Sequence, residues 1–260
     1  MGPRSAAAFA LAACLAAWSA WSAGAAADGP KPVALELVLA VDASLSVDDR
    51  EFALQMQGIA SAFRTPDIVA LIGEGDGVAV TLIQWSDEVD PRFTIPWHHL
   101  TEPASVHAFA ERVERAARAP DRSFTAMGRA IDVAIGMIVG NDLAGRELKI
   151  DVSADGLNNI GPPPTEVRGR AQALNIAING LPILTDHRDL DAYFREQVVA
   201  GPGAFVEIAD DYEDFARVFL RKLRRELSPY VSDKGAEGTE GTKGTMAAGR
   251  DPPRRAARID

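Results

Sequence analysis

Val33-Ala34-Leu35-Glu36-Leu37-Val38-Leu39-Ala40-Val41-Asp42-Ala43-Ser44-Leu45-Ser46 is the stretch that decides the fold. Residues 33–41 form a nearly continuous apolar run of strand length. Phe52, Met56, Ile59, Ala60 and Phe63 then recur at helical spacing, so a buried strand feeds an amphipathic helix. Between them the chain turns polar, and Asp42, Ser44 and Ser46 stand at alternate positions. In an extended segment that spacing points all three side chains the same way.

The alternation continues downstream. Residues 77–85 read as a second strand and 89–95 as a short third that returns as a hairpin. Residues 105–117 read as a helix with Val106, Phe109, Val113 and Ala117 inward, and 126–139 as a helix with Ile131, Ile135, Ile138 and Val139 on its apolar side. Further strands are expected at 148–153, 178–184 and 204–208, with helices at 165–177, around 190–198 and at 212–227. Mostly alternating strands and helices imply an α/β fold: a doubly wound, mostly parallel six-stranded sheet with helices on both faces, Rossmann-like in its winding.

The two ends of the chain read differently. Arg4 precedes an uncharged Ala/Leu/Trp-rich run that closes on Ala25-Ala26-Ala27, which reads as a cleaved signal peptide over residues 1–27 and a secreted or periplasmic protein. An uncleaved anchor and a lipid anchor at Cys14, within Leu11-Ala12-Ala13-Cys14, are the alternatives. With cleavage the mature chain has no membrane span and no cysteine, since Cys14 is the only one in the chain. Residues 229–260 are rich in Gly, Thr, Pro and mixed charge without apolar periodicity and read as a disordered tail. The folded domain is placed at 31–228. A net charge of −10 leaves no global field to attract nucleic acid.

In a doubly wound sheet, ligands bind beyond the carboxyl ends of the strands where strand order reverses. Three loops reach that edge: Asp42-Ala43-Ser44-Leu45-Ser46, Ser123-Phe124-Thr125, and Ser153-Ala154-Asp155-Gly156. Each has an ordinary structural role available. Ser46 with Asp49 fits a capping box, Thr125 fits an N-cap, and Asp155-Gly156 fits a turn. Together they form a coherent donor set, because the carboxylates of Asp42 and Asp155 balance a divalent charge while the hydroxyls of Ser44, Ser46 and Thr125 supply neutral oxygen. Hard oxygen donors without His or Cys suit Mg²⁺ or Mn²⁺.

In these positions the sequence resembles the von Willebrand factor A domain family, whose metal-ion-dependent adhesion site carries Asp-x-Ser-x-Ser, a distal Thr and a distal Asp. The likeness in element order covers residues 33–227. More narrowly, Val152-Ser153-Ala154-Asp155-Gly156-Leu157-Asn158-Asn159 resembles an uncharacterised bacterial branch of secreted A-like domains. The resemblance implies that Ser44, Ser46 and Thr125 are metal ligands, with Asp42 and Asp155 binding directly or through water. It also implies that a Glu or Asp carboxylate of a protein partner completes the coordination. Ala154 stands where many relatives have Thr, which puts the support behind the site in question.

The expected function is therefore metal-dependent protein binding and not catalysis. A structural domain without metal and a metal-assisted hydrolase are the alternatives. Against the hydrolase, the three loops carry no suitably placed His or Glu base, and no Gly-x-Ser-x-Gly elbow occurs. Gly73-x-Gly75-x-Gly77 precedes a strand and reads as a turn, not a phosphate loop. His98 and His99 beside Trp97 read as a hairpin-to-helix loop. Trp85-Ser86-Asp87 reads as a strand-ending turn or a support of the site, and Asn158 and Asn159 as lining of the ligand face or a turn.

Overall fold

The computed structural model describes residues 29–73, 75–120 and 123–237. The signal-peptide reading of 1–27 and most of the tail reading lie outside the described residues. In chain order the elements are β1 (Lys31–Asp42), α1 (Asp49–Phe63), α2 (Pro66–Gly73), β2 (Val78–Trp85), β3 (Ile95–Leu100), α3 (Pro103–Glu114), α4 (Met127–Val139), β4 (Leu143–Ala154), α5 (Pro164–Ala173), β5 (Ile176–Pro182), the short α6 (Leu190–Tyr193) and α7 (Phe215–Glu237).

The sheet order is β3-β2-β1-β4-β5, with β3 antiparallel and the other pairings parallel. β1 is therefore central and buried on both sides, which is why its sequence is apolar throughout rather than alternating. Its register sets Asp42 opposite Trp85 on one flank and Val41 opposite Ser153 on the other. The chain winds from β1 to one side, returns through α3 and α4, and continues on the other side. Strand order thus reverses at the carboxyl end of β1, the position of a binding crevice in open α/β sheets.

Successive side chains of β1 feed opposite layers. Leu35, Leu37, Leu39 and Val41 pack under α1, α2, α3 and α7 with Phe63, Phe109 and Phe215. Val38 and Ala40 pack under α4 and α5 with Ile131, Ile135 and Phe194. Over the first layer, β4 presents Lys149, Asp151 and Ser153, all buried. This polar stripe is met by α7: Lys222 Nζ lies 2.7 Å from Asp151 Oδ1 and 2.9 Å from Glu226 Oε1. Asn179 of β5 donates to the same Glu226 oxygen at 2.7 Å.

Several expectations are corrected. The sheet has five strands, not six, because the segment expected as a strand at 204–208 makes only isolated bridges, Gly180 to Val206 and Ile183 to Ala209. The third strand lies at Ile95–Leu100 instead of 89–95, and His98 and His99 are in it, paired with Val80 and Ala79. Its start is fixed by Thr81, whose hydroxyl donates to the Ile95 carbonyl at 2.7 Å. α2 was not anticipated: its buried face consists of Ile68 and Ile72 alone, too few apolar residues to register a period. At the other end α7 continues to Glu237, beyond the boundary placed at 228.

Candidate metal centre

β1 ends at Asp42 because the strand runs out of partners there: the amide of Ala43 makes a last bond to the Trp85 carbonyl, and the chain then turns. The Asp42 carboxylate is wholly buried and folds back on this turn, accepting the Ser44 amide at 2.8 Å through Oδ1. Its Oδ2 is buried with no hydrogen-bond partner. Ser44 Oγ and Ser46 Oγ are 3.2 Å apart, and Ser46 Oγ donates to Asp155 Oδ1 at 2.8 Å. Asp155, one residue past the end of β4, is buried, while Ser46 is exposed, so the cluster opens to solvent on one side.

Thr125 approaches from the loop before α4. Its hydroxyl is 3.9 Å from where a Cβ on Gly156 would sit, which puts it beside the Asp155 turn. The structure therefore joins Asp42, Ser44, Ser46 and Asp155 through hydrogen bonds and brings Thr125 alongside. The capping roles open to the hydroxyls are filled by others or left vacant. Asp48, not Ser46, caps α1 in a reciprocal box with Glu51, and α4 begins after Ala126 with no side-chain cap.

Two buried carboxylates at one place repel each other. Burial and the neighbouring charge of Asp155 push the Asp42 carboxyl up to about 7, and burial likewise raises Asp155. The buried Tyr212 hydroxyl faces Asp155 without a hydrogen bond of ordinary geometry, and its own ionisation is driven far upward by burial and by both aspartates. An unpartnered buried oxygen, a second carboxylate and the hydroxyls of Ser44 and Ser46, with that of Thr125 beside the Asp155 turn, form a donor set that a hard divalent cation would satisfy. Among the described residues no group of three or more His, Cys, Asp or Glu converges, so such a cation would have to draw on the hydroxyls.

The supports around the cluster were only partly foreseen. Asn159 accepts the Thr125 amide at 2.8 Å through its side chain and returns its own amide to the Thr125 carbonyl at 3.0 Å. Asn158 accepts the Gly128 amide at 3.0 Å. The asparagines thus stitch two of the loops together instead of lining a face. Gly128 is required here, because a Cβ on it would fall 2.1 Å from the Pro162 carbonyl oxygen. Asp87 accepts the Phe124 amide at 2.9 Å and the Ser86 carbonyl accepts the Ala126 amide at 2.8 Å, which anchors the Thr125 loop to the end of β2.

Three supports carry no local sequence signal. Gln55 of α1, fully buried, donates to the Asp42 carbonyl at 3.2 Å and accepts the Ser153 hydroxyl at 3.3 Å, tying β1 to β4. Arg118 donates to the carbonyls of Ser44 and Val47 and pairs with Asp49 at 2.6 Å, which braces the Asp-x-Ser-x-Ser loop from outside. Gln84 of β2 holds the segment that carries Arg118, bonding the Ala117 carbonyl at 2.9 Å and the Ala119 amide at 2.7 Å. A cavity of about 600 Å³ between β3 and α3 shares only Gln84 with these supports.

Comparison with known proteins agrees with the architecture. A family described as "Protein of unknown function (DUF1194)" matches residues 32–231. No curated protein matches. Among solved structures, proximal thread matrix protein 1 from the mussel byssus superposes with a TM-score of 0.59 at 14% identity, over 76% of this chain and 48% of that one. A second structure of that protein, described as having a zinc-occupied MIDAS motif, gives 0.54 at 13%, over 74% and 47%. A von Willebrand factor type A protein from Catenulispora acidiphila gives 0.52 at 16%, over 75% and 42%. The pilus adhesin SpaC from Lactobacillus rhamnosus GG gives 0.56 at 13%, over 76% and 30%. The fold is that of von Willebrand factor A-type domains, and the chain spans about half or less of each of these neighbours.

Proposed function

The chain belongs to the DUF1194 family of proteins of unknown function, and from that starting point we propose that its carboxyl-edge loops hold Mg²⁺ or Mn²⁺ and bind an acidic side chain of a protein partner through the ion. Asp42, Ser44, Ser46, Thr125 and Asp155 would hold the cation. The observation that carries this reading is the Asp42 Oδ2, buried without a hydrogen-bond donor beside a second buried carboxylate. Nature rarely leaves such an atom unsatisfied, and a divalent ion supplies both the missing contact and the missing charge. The zinc-occupied motif of the mussel protein, on the same fold, is consistent with a divalent ion here.

When bound, the ion would supply a positive charge that attracts an outside carboxylate. The chain's own residues do the rest. Arg118 and Gln55 fix the backbone of the first loop, the asparagines fix Thr125 against Asp155, and the exposed Ser46 leaves the site open to a partner. We read the site as one of binding and not of catalysis, and the protein as one that works outside the cytoplasm, in keeping with the secretory character of residues 1–27. No helix among the described residues is long and apolar enough to cross a membrane.

The test is calorimetric titration of Mg²⁺ and Mn²⁺ into chelator-treated protein. Wild type takes up one ion saturably, and Asp42→Ala does not. Absence of saturable uptake by wild type with either metal refutes the reading and leaves a domain that interacts without metal.

A further inference from the structure

Six large apolar side chains are exposed among the described residues, and their distribution is uneven. Leu45, at 61% exposure, stands between Ser44 and Ser46. Phe124, at 45%, precedes Thr125. Leu157, at 40%, is two residues beyond Asp155, and Ile160, also at 40%, follows Asn159, whose backbone and side chain both bond Thr125. The other two, Val139 and Leu174, lie just ahead of β4 and β5 and therefore at the opposite edge of the sheet. Every loop that contributes to the candidate metal centre thus carries an exposed Leu, Ile or Phe within two residues of a donor.

Folding does not account for this placement. In the first loop Ala43 turns into the core and Val47 does the same, while Leu45 between them turns outward. Phe124 has its amide fixed by Asp87, so the backbone that carries the ring is anchored to the end of β2. Polar residues would satisfy all four positions at no cost to the core. Apolar surface concentrated around a polar centre is the composition of a protein-binding patch, with a buried specific contact surrounded by side chains that exclude water.

Charge selects the occupant. Asp48 caps α1, whose first turn carries Asp49 and Glu51 directly after the first loop; Asp87 holds the second loop by the Phe124 amide; and Asp186 is near enough to act on Asp155. Without a cation this face repels an acidic partner; with one, a single carboxylate is attracted to one point while further acidic groups remain disfavoured. We infer that Leu45, Phe124, Leu157 and Ile160 form a docking rim for a protein segment that presents one Glu or Asp flanked on both sides by apolar residues. The inference rests on the cation reading of the preceding section, and it adds which segments the ion can engage.

The test uses the whole chain and short immobilised peptides with a central Glu, flanked either by Leu and Phe or by Gly and Ser, together with a central-Gln control. Binding is measured in Mg²⁺ and in EDTA. Wild type binds the apolar-flanked Glu peptide about tenfold more tightly than the Gly/Ser-flanked one, only in Mg²⁺, and does not bind the Gln control. The double variant Leu45→Ser with Phe124→Ser loses that preference while its calorimetric Mg²⁺ uptake stays at the wild-type level. If wild type takes up Mg²⁺ but shows no preference for apolar flanks, binds none of the peptides, or binds the apolar ones equally in EDTA, the rim inference is overturned and the cation reading stands. If wild type takes up no metal, the cation reading itself fails, and the rim inference with it.

Discussion

At the residue scale, Asp42 sits where stability and binding oppose each other. It loses its hydration at the end of the central strand, accepts a single backbone amide, and faces the charge of Asp155; Arg118 offsets only part of this. Asp42→Asn keeps an oxygen for the Ser44 amide and removes the repulsion. In EDTA the variant should therefore be more stable than wild type by about 1 kcal/mol, and Mg²⁺ should raise the melting temperature of wild type only. Thermal denaturation with and without chelator checks both halves, and a variant destabilised in EDTA would contradict the argument. The five candidate donors were legible in the sequence because their residue types and order are unusual together. Their freedom to act was not: Ser46 and Thr125 each had a capping role on offer. Only the structure shows Asp48 and Glu51 capping α1, and α4 starting without a side-chain cap.

At the element scale, the loops depend on parts of the chain far from them. The segment after α3 crosses the end of β2, is clamped there by Gln84, and delivers Arg118 to the carbonyls of Ser44 and Val47. Arg118→Ala should leave the helices and sheet intact, speed amide exchange in residues 44–47, and weaken Mg²⁺ binding about tenfold. Circular dichroism, hydrogen exchange and calorimetry read the three effects separately, and unchanged metal affinity would show that the loop holds its shape unaided. No periodicity could reveal this brace, since an arginine in a linker has no pattern to belong to. The same limit explains the misplaced third strand. The 3₁₀ turn at Pro91–Phe93 interrupts the apolar stretch, and the strand is defined instead by long-range contacts such as Thr81 to Ile95. Long periodic elements such as α1 and α4 were read to within a few residues, because their patterns state which face is buried.

At the scale of the whole molecule, the buried cluster of Asp151, Lys222 and Glu226 joins β4 to α7. Burial outweighs the attraction of Lys222 and pushes the Asp151 carboxyl up to about 6, with Glu226 adding to the rise. A carboxyl whose folded value lies above its unfolded one favours the folded state below the unfolded value and loses that contribution as pH rises through the folded value. The stability advantage of wild type over Asp151→Asn should accordingly grow, by on the order of 1 to 3 kcal/mol, as pH falls from about 7 to about 4. Chemical denaturation of both proteins across that range measures it, and a constant or shrinking difference would contradict it. Lys222→Met, which leaves Asp151 buried without its cation and Glu226 with only Lys149 at 3.6 Å, should cost about 3 to 5 kcal/mol at neutral pH. The alternation of strands and helices made the winding legible, yet polar residues at 149, 151 and 153 gave no sign of what they faced: α7 meets the first two and Gln55 of α1 the third.

The pairing of β1 also governs when the protein can come into being. One of its two neighbours is β4, with Lys31 opposite Leu143 and Val41 opposite Ser153, so the centre of the sheet stays open until the chain has been made past Ser153. Closing such a distant pair comes late and slowly. Until β4 arrives, β1 has only one of its two neighbours, and its apolar side chains lack half of the core they will share.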